Sequence, residues 1–197
     1  MAQNKLEAFK EEVQTKINRI LEEFAEGKLN RDQFHAIYER YNSQMELAEK
    51  ATTTDVPVQE DGGTMVLREK YMGKAQGLII FDNRSGNVIE TLGGFGVGMA
   101  EVQPILQDFT AELKAGRIVD RAVRPASDNR WLLFVAGKFT TVVTLFQNEP
   151  SGYQTTVIQR MHGEFENANH GAFENDKIDA EQLVFPFYAF VKRNLAG

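Results

Sequence analysis

The sequence predicts an α+β fold: an N-terminal α-helical hairpin, then a central antiparallel five-stranded sheet flanked by helices. Three observations predict it. Over the first fifty positions apolar residues recur at three- and four-residue steps, the mark of amphipathic helices. From Gly77 the pattern changes to compact apolar runs separated by turn residues, the mark of strands. Helical spacing then returns at 101–115 and at 153–169, between and after those runs.

Residues 3–25 place Leu6, Phe9, Val13, Ile17, Ile20, Leu21 and Phe24 on one helix face, and Gly27 suits a stop. A second helix opens at Asn30. Its side chain can accept from a free first-turn amide, and Gln33 can reach back, which makes a capping box. Leu29 and Phe34 hold the two positions of a hydrophobic staple, and Phe34, Ile37, Tyr38, Tyr41 and Met45 form the apolar stripe. The short link predicts an antiparallel hairpin over 1–50. Two helices bury too little to stand alone, so the hairpin is expected to dock or to dimerise. Residues 51–63, ATTTDVPVQEDGG, read as a linker.

The second domain is expected over 64–197, opening with a short helix at 64–75. GLIIFD and VIETL around NRSGN predict a hairpin, and GGFGVG at 93–98 a strand-to-helix corner. In the helix at 101–115 Val102, Ile105, Leu106, Phe109 and Leu113 share a side, with Pro104 in the first turn. Ile118–Val123 alternates, and RWLLFVAG and FTTVVTLFQ flank a tight turn at Gly137-Lys138. A long helix follows from about Tyr153 to Asn169. Asp179 and Gln182 repeat the capping-box spacing, with Ile178 and Leu183 as the staple. Pro186 then either kinks that helix or begins another.

From residue 64 the order is helix, strand, strand, helix, strand, strand, strand, helix. With GLIIFDNRSGNVIETLG as a first hairpin and RWLLFVAGKFTTVVTLF as the last two strands, this resembles the roadblock / dynein-light-chain family, a branch of the profilin-like and longin-like sandwiches. The motifs are patterns of apolar and turn residues rather than invariant chemistry. The hairpin, the long helix and the aromatic tail at 183–191 depart from a minimal unit of that kind. GKLNRDQFHAIY is similar to short bacterial helical-hairpin modules. The resemblance implies a homodimer that scaffolds or regulates other proteins, small GTPases among them.

Composition narrows the function classes. Apolar residues make up 42% and there are 14 Phe, enough for a packed core. The net charge of -6 comes from interleaved charges, so no basic stripe marks a nucleic-acid or anionic-membrane footprint. With no cysteine, thiolate metal sites, disulfides and cysteine nucleophiles are excluded. MAQNKLEAFKEE lacks the apolar core of a signal peptide, and no apolar run reaches the ~20 residues of a membrane span. A cytoplasmic protein is expected.

Few residues point to chemistry. Gly94, Gly96 and Gly98 invite a phosphate reading, but Met99 stands where a dinucleotide fingerprint needs glycine. His162, Glu166 and His170 recur every fourth position and would share a helix face; the alternative to a metal site there is a solvated face. Ser85, Ser127 and Ser151 lie in turn-like contexts without a nucleophile elbow. Trp131 reads as core or interface. Phe185, Phe187, Tyr188 and Phe190 either dock the C-terminal segment or form a partner patch.

These readings predict a non-enzymatic regulatory or scaffold protein with no cofactor, no metal and no catalytic residues. Its expected partners are a second copy and another protein such as a small GTPase. The expected interaction residues are Phe34, Tyr38, Tyr41, Ile105, Phe109, Leu113, Phe187 and Tyr188. The alternative is a small-molecule sensor on a profilin-, PAS- or GAF-like sandwich, which would need an apolar pocket with convergent polar groups.

Overall fold

The computed structural model describes residues 2–50, 62–116, 120–175 and 179–186. These fall into two compact units, Met1–Met72 with Ser151–Tyr153, and Gly73–Pro150 with Gln154–Gly197.

The first unit is helical: α1 (Ala2–Ala25), α2 (Arg31–Lys50) and α3 (Gly62–Tyr71). Phe9, Val13, Ile17 and Ile20 of α1 are buried with Ile37, Tyr41 and Ala48 of α2. Gly27, at φ +71°, ends α1 in a Schellman motif. Lys28 N donates to Glu23 O at 2.8 Å and Gly27 N to Phe24 O at 2.9 Å, which satisfies two orphan carbonyls. The capping box forms as read: Gln33 N donates to Asn30 Oδ1 at 2.8 Å and Asn30 N to Gln33 Oε1 at 3.1 Å. The same two side chains also finish α3. Asn30 Nδ2 donates to Tyr71 O at 2.7 Å, and Gln33 Nε2 to Arg68 O at 2.6 Å. Leu67 packs on the hairpin core, and Arg68 pairs with Glu23 at 2.6 Å. Helix α3, expected to open the strand-rich domain, therefore packs as a third helix with α1 and α2. It also ends earlier than the expected 64–75, because Lys74 already belongs to a strand.

The second unit is built on an antiparallel sheet of five strands in the order β2-β1-β5-β4-β3. The strands are β1 (Lys74–Asp82), β2 (Val88–Gly93), β3 (Arg121–Pro125), β4 (Arg130–Ala136) and β5 (Thr140–Gln147). Helix α4 (Met99–Lys114) packs Val102 and Phe109 against Ile79, Phe81, Leu132, Phe134, Val143 and Leu145. On the other face Leu78, Ile80 and Val142 meet Phe165 of α5 (Gly152–Ala168) and Phe173 of α6 (His170–Glu174). Covering both faces explains why β1, β4 and β5 read as continuous apolar runs rather than alternating ones. Gly77 is needed for close approach, since a Cβ there would lie 2.9 Å from the backbone of Gly94.

Several boundaries differ from expectation. Strand β3 is Arg121–Pro125 rather than 118–123, and residues 117–119 lie outside the described ones. The β4–β5 turn is Lys138-Phe139, one residue later than expected, closed by Gly137 N to Thr140 O at 2.8 Å. Pro104 sits in the second turn of α4, where it withholds an amide from the carbonyl of residue 100. Asp179 does cap a helix, but only one 3-10 turn, Ala180–Gln182, after which Leu183 is extended. Ile178 lies outside the described residues.

Candidate functional site

The strand-rich unit holds a buried polar cluster at the β4–β5 turn. Thr140, the first residue of β5, is fully buried. Helix α5 carries His162 and Glu166 one turn apart on the face toward it. The Glu166 carboxylate accepts from three consecutive amides: Lys138 N at 2.9 Å, Phe139 N at 2.9 Å and Thr140 N at 2.7 Å. It also accepts from Thr140 Oγ1 at 2.8 Å. Gly137 makes room, because a Cβ there would overlap the carboxyl group. The Thr140 hydroxyl, donating to Glu166, accepts from His162 Nε2 at 2.7 Å, which assigns the imidazole proton to Nε2. Burial holds the His162 pKa below its ordinary value, against the opposing pull of Glu166.

This cluster clasps a turn. Its hydroxyl and carboxylate are committed to each other and to backbone amides, so Thr140 is not free to act as a nucleophile. His162 and Glu166 correct the solvated-face expectation: their side chains are 3% and 12% exposed. His170 does not join them. It opens α6, is half exposed and lies 3.6 Å from Glu174. Among the described residues no group of three or more His, Cys, Asp or Glu converges to hold a metal ion.

The other chemical candidates take structural places. Glu101, in the first turn of α4, accepts from Ser127 N at 2.8 Å and Ser127 Oγ at 3.1 Å, which keeps its carboxyl below the usual range. Arg130 Nη1 donates to Gly96 O at 2.8 Å. Arg130 thus fastens the β3–β4 turn to the glycine corner, and Glu101 fastens it to the start of α4. Ser85 serves the β1–β2 turn, its amide donating to Asp82 at 2.9 Å. Ser151 is buried, and Trp131 packs half-buried beside Leu133, Val135 and Phe146.

Of the expected interaction residues, Phe34, Tyr38 and Tyr41 gather in the core cluster of the helical unit, and Ile105 and Phe109 in that of the strand-rich unit. Phe34 and Tyr38 are half-buried in the helical unit, with Phe34 stacked between Phe24 at 4.6 Å and Tyr38 at 5.5 Å. Tyr41 and Phe109 are corrected to core residues, 7% and 1% exposed; Phe109 stacks on Phe134 at 5.3 Å. Ile105 is half-buried on the sheet core. The side chain of Leu113, and Phe187, Tyr188 and Phe190 entirely, lie outside the described residues.

A surface the sequence reading passed over lies on α3. Thr64, Leu67, Arg68 and Tyr71 take the half-buried side, while Met65 and Val66 are 75% and 64% exposed, followed by Met72 at 41%. The signal was the offset between those two sets at helical spacing. In the strand-rich unit an apolar cavity of about 50 Å³ lies between sheet and α5, far below the ~300 Å³ and more of ligand pockets. A wider, open groove of about 680 Å³ runs between the β1–β2 turn and α4. Among the described residues no helix is long and apolar enough to cross a membrane.

Comparison with protein-family models, with curated proteins and with solved structures gave no match.

Proposed function

We propose that this chain is a non-enzymatic regulatory or scaffold protein of the cytoplasm that works through protein–protein contact as a homodimer. The observation that carries this reading is the outward face of α3. Met65, Val66 and Met72 are exposed on a small helical unit on whose core α3 packs through Leu67, with Thr64, Arg68 and Tyr71 half-buried. Large apolar side chains grouped on a surface mark contact sites, and methionine adapts to varied partners. The order of elements from β1 onward, which keeps all but the first helix of the roadblock resemblance, supports the same reading. That resemblance adds a small GTPase as the kind of partner to try first.

The small-molecule alternative has the open groove beside α4 in its favour. Its polar groups are turned to their own loop, however. Asp82 serves Arg84 N and Ser85 N, and Asn83 accepts from Thr141 Oγ1 at 2.6 Å. Light scattering on the full chain at micromolar concentration tests the scaffold reading. A mass near twice 22.2 kDa supports it, and a clean monomer defeats it.

A further inference from the structure

Near its end the described chain crosses α5 as a short strap. Asn169, buried at the end of that helix, grips it from both sides: Nδ2 donates to Val184 O at 2.7 Å, and Val184 N donates to Oδ1 at 2.7 Å. Phe185 stacks on Phe165 with centroids 5.2 Å apart. Phe185 and Pro186 form one wall of the cavity of about 50 Å³. Among the described residues its remaining walls are apolar side chains of β1, β2, β5 and α5, with one exception, the imidazole of His162.

We infer that Leu183–Pro186 is an acid-released strap, in which a proton taken up by His162 favours the conformation with the segment lifted off the cavity.

His162 carries its proton on Nε2, bonded to Thr140, so a second proton from solvent must go to Nδ1. That creates a cation on a side chain only 4% exposed among apolar walls, and lifting the strap opens it to hydration. Among the described residues the charged groups around the ring are few. Glu166, 3.8 Å away on α5, favours the cation, yet its oxygens already accept four hydrogen bonds from residues 138–140. Lys138, on the β4–β5 turn, is exposed and lies toward Glu174 at 3.8 Å and over the Phe139 ring. His170 and Glu174 on α6 face each other at 3.6 Å. Strands β1 and β2 contribute only Leu78, Ile80 and Leu92 to this cavity, and β5 only Val142. On the strap side Asp179 and Glu181 are exposed, and Asp179 is tied to its own turn through Glu181 N and Gln182 Nε2. Burial therefore outweighs Glu166, which agrees with the depressed basicity of the imidazole. The Asn169 clasp is neutral and does not titrate, so the trigger is His162.

The chain has no cysteine, so two introduced ones can be labelled without background. Spin labels on Glu164→Cys and Glu181→Cys, both exposed positions, report the strap-to-α5 distance in the full chain by pulsed electron resonance. One narrow distribution is expected at about pH 7.5. A second, longer population is expected at about pH 5, its ratio to the first growing by at most about tenfold per pH unit below ~6.5, as one-proton linkage requires. His162→Gln, and His162→Leu as a second variant, should keep the single distribution at both pH values. Asn169→Ala should show the longer population already at about pH 7.5. An unchanged distribution in the labelled parent at about pH 5 would overturn the proposal. So would a second population in either His162 variant, or its absence in Asn169→Ala.

Discussion

Thr140 Oγ1 and His162 Nε2 meet at 2.7 Å, and the same hydroxyl hands its own proton to Glu166 Oε1 at 2.8 Å. The chain imidazole–hydroxyl–carboxylate joins the start of β5 to the middle of α5 and ends on three amides of the turn. Removing its last member should strand the two donors of buried Thr140, along with the amides of half-buried Phe139 and exposed Lys138. Glu166→Ala is expected to cost about 3 kcal/mol or more, at ~1–3 kcal/mol for each donor left without a partner. Glu166→Gln, which keeps one acceptor oxygen, should cost less. Urea unfolding followed by circular dichroism measures both, and equal stability of Glu166→Ala and parent would show that the turn does not depend on the carboxylate.

A second expectation concerns Asn30, which is buried and faces two helices. As cap it accepts from Gln33 N, and as donor it finishes α3 at Tyr71 O. Asn30→Asp keeps the cap but sets a carboxylate against a carbonyl. Asn30→Ala loses both roles and should cost about 1–2 kcal/mol for the cap plus the penalty of the stranded Tyr71 carbonyl. Both variants should lower the melting temperature. If Asn30→Asp melts with the parent, the bond to Tyr71 contributes nothing.

These two sites also mark what could be read from sequence. The capping box was legible because it is local: Asn30 and Gln33 lie three apart, and the spacing alone sets their geometry. The five strands were legible because RWLLF and VVTLF have no helical period and are bounded by glycine and turn residues. The allegiance of α3 was not, because GGTMVLREKY is only weakly two-sided, and its choice of neighbour is made by Asn30 and Gln33 across some forty residues. The Glu166 clasp was missed for a similar reason. Its partners are backbone amides, which look the same in every sequence, and only Gly137 hints that something must approach the turn. Phe109 was read correctly as one face of a helix, but a face alone does not say whether it meets its own sheet or another chain.

Phe109 supplies a packing prediction. It is 1% exposed and stacked on Phe134. Phe109→Ala should cost about 3–5 kcal/mol, the usual range for a deleted core phenylalanine. Urea unfolding should show a lower midpoint with an unchanged slope. A loss under about 1 kcal/mol would place the residue outside the core.

Asp82 gives a pH dependence. Burial raises its pKa, but hydrogen bonds from the Ser85 hydroxyl and the amides of Ser85 and Arg84 outweigh this and leave it depressed. A carboxylate with a lowered folded-state pKa contributes stability that is complete above its unfolded value of about 3.9 and is lost as the pH falls through the folded value. Ser85→Ala removes one of those bonds. The variant should therefore be less stable than the parent at neutral pH, and the gap should close in strong acid. A gap that stays constant down to about pH 2 would mean that Asp82 is not the acceptor that matters.

Met65 and Val66, exposed on α3, are the proposed contact surface between proteins. Its most direct test is light scattering coupled to size exclusion on the parent chain and on the double variant Met65→Asp, Val66→Asp. Both substitutions fall at exposed positions, so circular dichroism should be unchanged. The parent should have a mass near twice 22.2 kDa and the variant a mass near that of a single chain. A monomeric parent, or a variant that remains fully dimeric, would contradict it.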